Sequence, residues 1–184
     1  MKHVDYRDLS INPMTLFGER WGVLTGGTQA EGFNGMTIAW GHLGSVWHDK
    51  REGRATGPLP TAVCYVRPQR HTRAFTEASD YFTIAFLPEG REFKRAHGVM
   101  GGKSGRDLGE AGKFEAAGLT VETHEGTGSV YPAESELVFV CRKLYHADLD
   151  EQGFDNRAVM DATYPERDFH RMYVGEIVDV LAAE

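Results

Sequence analysis

The feature that most constrains this chain is the grouping of its apolar residues. They occur in short runs of strand length, and glycine-rich or polar segments separate one run from the next. The chain has 22 glycines, which give the backbone the freedom that tight turns need. Short apolar runs between turn signals are typical of β-strands. The pattern therefore predicts a strand-rich fold with tight turns.

These runs predict a series of strands and two short helices. The strands are expected at residues 21–25, 36–40, 61–66, 81–86, 119–123, 136–145 and 172–181. The first two would be joined through a glycine-rich connection that contains Asn34-Gly35, a strong turn dipeptide. Helical patterning is confined to residues 72–79, with Thr72 as the N-cap, and to residues 89–97, which Gly98 would end.

The order of these elements favours a barrel. Strands dominate, and the helices are inserted between them without the regular alternation that builds a parallel sheet. We expect a mainly β chain with short helices, folded as a closed or partly open antiparallel barrel. Of the 184 residues, 41% are hydrophobic, which is enough for one compact domain over residues 1–184 without disulfides or metals.

The charge balance limits the partners. There are 20 Lys and Arg residues against 27 Asp and Glu residues, a formal net charge of −7. A broad nucleic-acid-binding face needs concentrated positive charge, so we expect no nucleic-acid partner. No apolar run reaches the roughly 18 residues of a membrane span, and charges recur in residues 2–8, where a signal peptide would turn apolar. These features predict a soluble, cytoplasmic protein with no membrane partner, in which an anionic ligand must find a local basic cluster.

The densest basic cluster is the segment Arg67–Arg73. It holds three arginines and lies between the strand at 61–66 and the helix at 72–79. Guanidinium groups, the Thr72 hydroxyl and the N–H groups at the start of a helix can converge on one phosphate. The segment is either an anion site or a solvated charged turn, and its sequence alone favours neither.

A second glycine-rich segment, residues 98–107, invites comparison with a nucleotide-binding P-loop. That motif requires a glycine five positions before Gly102, where this chain has His97, and the segment follows a predicted helix instead of a strand. The P-loop interpretation therefore fails. What remains is a flexible loop whose N–H groups, with Lys103 and Arg106, either wrap a phosphate or simply turn the chain.

Other kinds of site have no framework in the sequence. No G-x-G-x-x-G opens a strand–helix unit, and no G-x-S-x-G suggests a hydrolase. The eight histidines show no H-x-H or H-x-x-x-H pair, so no metal site is predicted. Cys64 and Cys141 each lie within an apolar run and are predicted to be buried thiols. The charged segment 48–57 is most simply an exposed loop, with a lid over a site as the alternative.

Four motifs in order carry a resemblance to a known family. They are residues 34–40 (Asn-Gly-Met-Thr-Ile-Ala-Trp), residues 65–72 (Tyr-Val-Arg-Pro-Gln-Arg-His-Thr), residues 103–107 with 113–114 and 118–120, and residues 143–145 with 170–177. In these motifs the sequence resembles the flavin reductase-like proteins of the FMN-binding split-barrel fold, which include flavoredoxin. The resemblance extends from about residue 12 to about residue 181.

The resemblance implies a homodimeric split barrel of Greek-key type, with FMN held noncovalently near the subunit interface. It implies that the first motif lines the isoalloxazine ring, that the arginines of the second hold the phosphate or the ribityl chain, and that the third closes over the cofactor. The cofactor-binding residues it implies are Asn34, Gly35, Met36, Thr37, Ile38, Ala39, Trp40, Arg67, Arg70, Thr72, Ser104, Gly105 and Lys113.

The activity implied is that of an FMN-dependent oxidoreductase of the flavin reductase type. Electrons would pass from NAD(P)H or a protein donor through FMN to free flavin or another acceptor. FMN needs a cationic end for its phosphate and an uncharged slot for its ring, and the motifs supply both. Because the cofactors carry the hydride chemistry, the lack of an acid–base pair is no objection, and no catalytic residue is assigned. The alternative is an FMN-binding electron carrier or flavin store without nicotinamide turnover.

Overall fold

The computed structural model describes residues 1–48 and 57–184. The predicted loop at 48–57 therefore lies, for residues 49–56, outside the described residues. Its first residue, His48, is the last residue of a strand, and Gly57 directly precedes the next strand. Within the described ranges, no helix combines the length and the apolar character needed to cross a bilayer.

Strands make up most of the regular structure. They are β1 (Lys2–His3), β2 (Gly22–Thr28), β3 (Gly32–Ile38), β4 (Gly41–His48), β5 (Pro58–Val66), β6 (Tyr81–Phe86), β7 (Val121–Thr123), β8 (Val130–Pro132), β9 (Leu137–Asp148) and β10 (Arg171–Ala182). The helices are α1 (Pro13–Thr15), α2 (Thr72–Ala78), α3 (Arg91–Gly102), α4 (Gly105–Leu108), α5 (Glu110–Ala117) and α6 (Arg157–Thr163), with single helical turns at Tyr6–Asp8, Leu16–Arg20 and Glu151–Gly153. The predicted mainly β fold with short helices is confirmed.

One large antiparallel sheet organises the molecule. Its strands follow the order β3-β2-β6-β9-β10-β5-β4, and β1 pairs with β10. Every pairing in it is antiparallel, with Thr25 opposite Gly35 on β3 and Thr83 on β6, for example. The short strands β7 and β8 form a separate pair.

The sheet must curve until its two ends meet. β3 and β4 lie at opposite ends of the strand order, yet only Ala39 and Trp40 separate them in the chain. Two linking residues span at most about 10 Å, so the ends of the sheet come together there. β3 and β4 do not pair with each other in the described sheet. The result is a barrel split between these two strands.

Successive side chains of a strand point to opposite faces of the curved sheet, and apolar side chains pack on both faces. Phe82, Ile84 and Phe86 of β6 point into the barrel, where they join side chains of β2, β3, β5, β9 and β10. Ala85 of the same strand faces outward, into a second apolar cluster that packs under α3 and α5. The thiols of Cys64 and Cys141 are free and buried in the barrel interior, as the apolar runs around them predict.

The predicted turn at Asn34-Gly35 is wrong. Both residues lie inside β3, and the turn that joins β2 to β3 is at residues 29–31. Gly35 serves packing instead of a turn, because a Cβ at this position would lie 2.7 Å from Met100 Cε and 2.7 Å from Phe114 Cζ. Glycine here lets α3 and α5 sit directly on the strand.

Both helix boundaries also need correction. Thr72 is the first residue of α2 and not its N-cap, which is His71. Gly98 does not end the second helix: α3 continues to Gly102, because Ala96, His97 and Met100 lie on one buried face that packs on the sheet.

The predicted flexible loop at 98–107 is therefore wrong as well. Its first half is the last turn of α3, and its second half enters α4. Ser104 is the N-cap of α4, and its Oγ accepts a hydrogen bond from Arg106 N at 3.2 Å.

Three strands lie outside the predicted set. They are β1, β4 and β8, whereas the run at 119–123 contains β7. β4 has no apolar pattern because its side chains are mostly exposed.

Candidate functional site

Two adjoining cavities lie where the ends of the sheet meet. One has a volume of about 170 Å³ and is bounded by β3, the start of α2 and the connection from α3 to α4. The other, of about 140 Å³, is bounded by β3, the Ala39-Trp40 link, β5 and the start of β10. Met36 and Arg70 line both cavities, so a single elongated ligand could lie across them.

The first cavity is cationic. Arg70, Lys103, Arg106 and Lys113 all line it. Among the described side chains, none of these four forms an ion pair with a carboxylate, whereas Arg67 nearby pairs with Asp168. Three of them donate to backbone carbonyls: Arg70 Nη1 to Gly101 O at 2.8 Å, Arg106 Nη1 to Gln69 O at 3.3 Å and Lys113 Nζ to Gly35 O at 2.7 Å. Positive charge therefore accumulates in this cavity of an acidic protein.

Lys113 is the buried member of that set. Its side chain crosses under β3, and its Nζ donates to Gly35 O at 2.7 Å. Only 3% of the residue is exposed. Burial, together with the positive charge of Arg70, lowers the pKa of Lys113 to about 8. An anion in the cavity would relieve both the repulsion and part of the desolvation.

One buried polar atom beside these cations has no partner. Asn34 Nδ2 donates to Thr72 Oγ1 at 2.8 Å, but Asn34 Oδ1 is buried and accepts no hydrogen bond. Gly105 lies against this oxygen, and a Cβ there would collide with it. A buried carbonyl without a donor is costly, so this position favours a ligand that brings a hydroxyl or N–H group. The ribityl hydroxyls of FMN are groups of that kind.

The second cavity is an aromatic slot, and of the two arginines that line it, Arg67 is paired with a carboxylate. Trp40 is 43% exposed, and its ring lies on the ring of His170, with 4.4 Å between the centroids. Tyr65, Thr37 and Ile38 complete the walls. β3 has only β2 as a neighbour in the sheet, so backbone groups on its other edge have no strand partner among the described residues. A planar heterocycle with hydrogen-bonding edges suits such a slot.

His170 is uncharged in this slot at neutral pH. Its Nδ1 lies 2.8 Å from the Tyr164 hydroxyl. Burial, with the positive charges of Arg67 and Arg70, lowers the pKa of His170 to about 4. The side chain can therefore accept or donate a hydrogen bond without bringing a charge to the slot.

Arg67 differs from the other cations. Its Nη1 pairs with Asp168 Oδ2, and its Nη2 donates to Thr163 O at 2.9 Å. Its guanidinium also lies over the Tyr164 ring, 5.3 Å from the centroid. Arg67 lines the aromatic slot and not the cationic cavity. Its contacts join β5 to the segment before β10, and its contact with a phosphate or ribityl chain stays a prediction, as does that of Arg70.

The structure brings the predicted site residues together. Those that line the cationic cavity or the slot are Asn34, Met36, Thr37, Ile38, Ala39, Trp40, Arg67, Arg70, Thr72, Ser104, Gly105 and Lys113. Gly35 lines neither and enters only through its carbonyl bond with Lys113. Whether these residues bind FMN stays a prediction.

Further residues at the site were missing from the predicted set. They are Tyr65, Gln69, His71, Gly102, Lys103, Arg106 and His170. Lys103 and Arg106 carry a signal in the sequence, since they flank Ser104-Gly105 with positive charge. His170 carries none beyond its place in the last of the four motifs, because its position depends on how β10 is aligned with β5.

No family model matches the chain, and a search of curated proteins found no match. Solved structures do resemble it. An FMN-binding domain of a flavin reductases-like enzyme from Shewanella baltica OS155 matches with a TM-score of 0.62 and 16% identity, over 98% of this chain and 76% of that one.

Two further structures extend the comparison. The flavoredoxin of Desulfovibrio vulgaris (Miyazaki F) matches with a TM-score of 0.61 and 18% identity, over 100% of this chain and 77% of that one. The NADH:FAD oxidoreductase of Streptomyces globisporus C-1027, in complex with NAD and FAD fragments, matches with a TM-score of 0.58 and 16% identity, over 89% and 74%. The structural neighbours of this chain are thus FMN-binding flavin reductase-like proteins and flavoredoxins, and the chain has their fold.

Proposed function

We propose that this protein is an FMN-dependent oxidoreductase of the flavin reductase type. It takes electrons from NAD(P)H or a protein donor and passes them through noncovalently bound FMN to free flavin or another acceptor. The observation that carries the proposal is that the cationic cavity adjoins the aromatic slot and shares Met36 and Arg70 with it.

The phosphate end of FMN is assigned to the cationic cavity. A phosphate monoester carries nearly two negative charges at neutral pH. Arg70 and Arg106 offer guanidinium forks, Lys103 and Lys113 offer ammonium groups, and the Ser104 hydroxyl lies among them. The ribityl chain would pass Asn34, whose unpaired Oδ1 can accept a hydrogen bond from one of its hydroxyls.

The ring end is assigned to the slot at the split of the barrel. Met36 of β3, Trp40 and His170 line this slot, and the rings of Trp40 and His170 are in contact. When bound, FMN supplies the reversible acceptance of a hydride at its ring. The residues of the chain bind and orient the two reactants and exclude water, and Lys113 places positive charge under β3, where it stabilises an anionic ligand.

Titration and rapid mixing test the proposal. Purified protein is expected to bind FMN with a shift in flavin absorbance and quenching of its fluorescence. Anaerobic mixing of the FMN-loaded protein with NADH or with NADPH should then bleach the flavin absorbance rapidly. Protein that leaves flavin fluorescence unchanged would contradict the binding assignment.

The same experiment separates the reductase from a carrier. If dithionite or a reduced partner protein bleaches the bound flavin and neither nicotinamide does, the protein is an FMN-binding electron carrier or flavin store. The resemblance also implies a homodimer, which we propose on that ground, and light scattering after gel filtration measures it directly.

A further inference from the structure

A second cluster of chemically reactive side chains lies away from the flavin site. His3, His124 and Asp179 come from β1, from the segment after β7 and from β10, and their ligand atoms lie within 4.8 Å of one another. His3 is more than a hundred residues from the other two, and His124 and Asp179 are 55 residues apart, which is why no histidine spacing predicts the cluster. We propose that these three residues form a binding site for a divalent transition-metal ion, with zinc as the best match.

The geometry converges on one carboxylate oxygen. Asp179 Oδ2 lies 2.6 Å from His3 Nδ1 and 2.9 Å from His124 Nε2. The other carboxylate oxygen, Oδ1, accepts a hydrogen bond from Val180 N at 2.8 Å, which holds the carboxylate in this direction. Two imidazole nitrogens and a carboxylate oxygen are the donor set of many zinc sites.

An outer hydrogen bond orients the His124 ring. Its Nδ1 lies 2.9 Å from Thr127 Oγ1, which in turn lies 3.0 Å from Ser129 Oγ. The other ring nitrogen, Nε2, is thereby directed at Asp179 Oδ2. Metal-binding histidines typically have such a partner on the ring nitrogen that does not face the metal.

Admission of the ion requires the ligand atoms, which lie within 4.8 Å of one another, to adjust their spacing. With bonds of about 2.0–2.1 Å, neighbouring ligand atoms of a tetrahedral zinc site lie about 3.3 Å apart. The two nitrogens are a few tenths of an ångström closer than that to Asp179 Oδ2. The His3 side chain, 73% exposed on β1, is free to make the adjustment, whereas that of His124 is only 10% exposed and is fixed.

The surroundings favour a cation over an anion. The cluster opens into a surface depression of about 710 Å³ that Glu122 and Glu125 also line. No lysine or arginine of the described residues lines it. Water or one of these glutamates can complete the coordination. Occupied, the site would join β1 to β10 and to the segment after β7.

Calorimetric titration of the full-length protein tests the site. Protein stripped with EDTA and dialysed is titrated with ZnCl2, and with MgCl2 as the hard-cation control. We expect one zinc ion bound per chain and no comparable binding of magnesium. Replacement of the bound ion by Co²⁺ should give the visible absorption of a tetrahedral site.

Matched variants assign the ligands. Asp179→Asn and His3→Ala are expected to weaken zinc binding by roughly tenfold or more, whereas His48→Ala, an exposed histidine outside the cluster, should bind as the original chain does. Because the His3 side chain is mostly exposed, its removal leaves folding intact, and thermal unfolding checks this. Zinc should raise the melting temperature of the original chain and of His48→Ala, but not of His3→Ala. No zinc binding, equal binding of magnesium, or unchanged zinc binding by Asp179→Asn and His3→Ala would overturn the proposal.

Discussion

Arg67 and Arg70 are three residues apart, but they sit in different electrostatic settings. Arg67 is neutralised by Asp168 and donates a second bond to Thr163 O. Arg70 donates to the carbonyl of Gly101 and lies beside Lys113, with no ion pair to a described carboxylate. A cation with an acidic partner contributes to the architecture, whereas cations without one leave net charge for a ligand. The comparison predicts a structural role for the region around Arg67 and anion binding for the region around Arg70.

The largest effect is expected for Arg70→Ala. Loss of a charge-assisted hydrogen bond to the phosphate weakens FMN binding by about 1.5–3 kcal/mol, which is roughly tenfold to a hundredfold in Kd. Fluorescence titration measures this. Riboflavin, which lacks the phosphate, should bind the variant as it binds the original chain. Arg157→Ala, an exposed arginine paired with Glu151, is the control. Equal losses for FMN and riboflavin would place the phosphate elsewhere.

A smaller effect is expected from pH, through Lys113. Its ammonium is charged below its pKa of about 8, so FMN affinity should fall by a few-fold as the pH rises from 7 to 9. The stability of the ligand-free protein should move the other way. In the unfolded chain the lysine keeps its proton up to about pH 10.4. Between about pH 8 and about pH 10.4 the unfolded state therefore binds more protons than the folded state, so the contribution of Lys113 to stability rises with pH. Titrations and urea unfolding at each pH measure the two trends.

The conservative variant Lys113→Met isolates these trends from other titrating groups. It keeps an unbranched side chain in the buried position and removes the charge. We expect the original chain to show both pH trends, in FMN affinity and in stability, and Lys113→Met to lose the part of each that Lys113 causes. A variant whose FMN affinity falls with pH as steeply as that of the original chain would exclude Lys113 from the anion site.

Arg67→Met tests the structural half of the comparison. The ion pair with Asp168 is partly exposed, so we expect the melting temperature to fall by about 2–4 °C. FMN affinity should change much less than it does in Arg70→Ala. Differential scanning calorimetry and the same fluorescence titration give both values. A large loss of FMN affinity with an unchanged melting temperature would reverse the roles assigned to the two arginines.

The smallest effect is expected for the protonation of His170. With a pKa of about 4, it stays neutral across the range in which an ordinary histidine titrates. The rate of flavin reduction by nicotinamide, measured by stopped flow from pH 5.5 to 8, should show no inflection that His170→Gln removes. An inflection near pH 6.5 that disappears in this variant would show that the slot is wetter than its burial indicates.

The sequence predicts much of the fold because most strands bury their side chains and therefore appear in the sequence as apolar runs. The runs at 61–66, 81–86 and 172–181 contain the buried residues of β5, β6 and β10. β4 escapes prediction because its side chains are mostly exposed, so it lacks an apolar pattern. Asn34-Gly35 misleads because glycine is required there for helix packing, which local sequence cannot distinguish from a turn.

For the candidate site, the motifs predict which residues are present better than they predict the ion pairs and the burial of those residues. Arg67 and Arg70 look alike in sequence, and only the position of Asp168 separates them. The extension of α3 to Gly102 likewise depends on burial against the sheet, and it places Lys103 and Arg106 at the cavity as a fixed corner instead of a mobile loop. The cluster of His3, His124 and Asp179 depends wholly on the pairing of β1 with β10 and on the segment after β7.

The two-residue link between β3 and β4 has a mechanical consequence. Ala39 and Trp40 hold the opposite borders of the sheet together by covalent bonds, while the backbone ladder stops on either side of them. A ligand bound between β3 and β4 contacts both strands and replaces the interstrand contacts that are missing there. Ligand occupancy and the closure of the whole barrel are therefore thermodynamically linked, and an insertion within the link would loosen both at once.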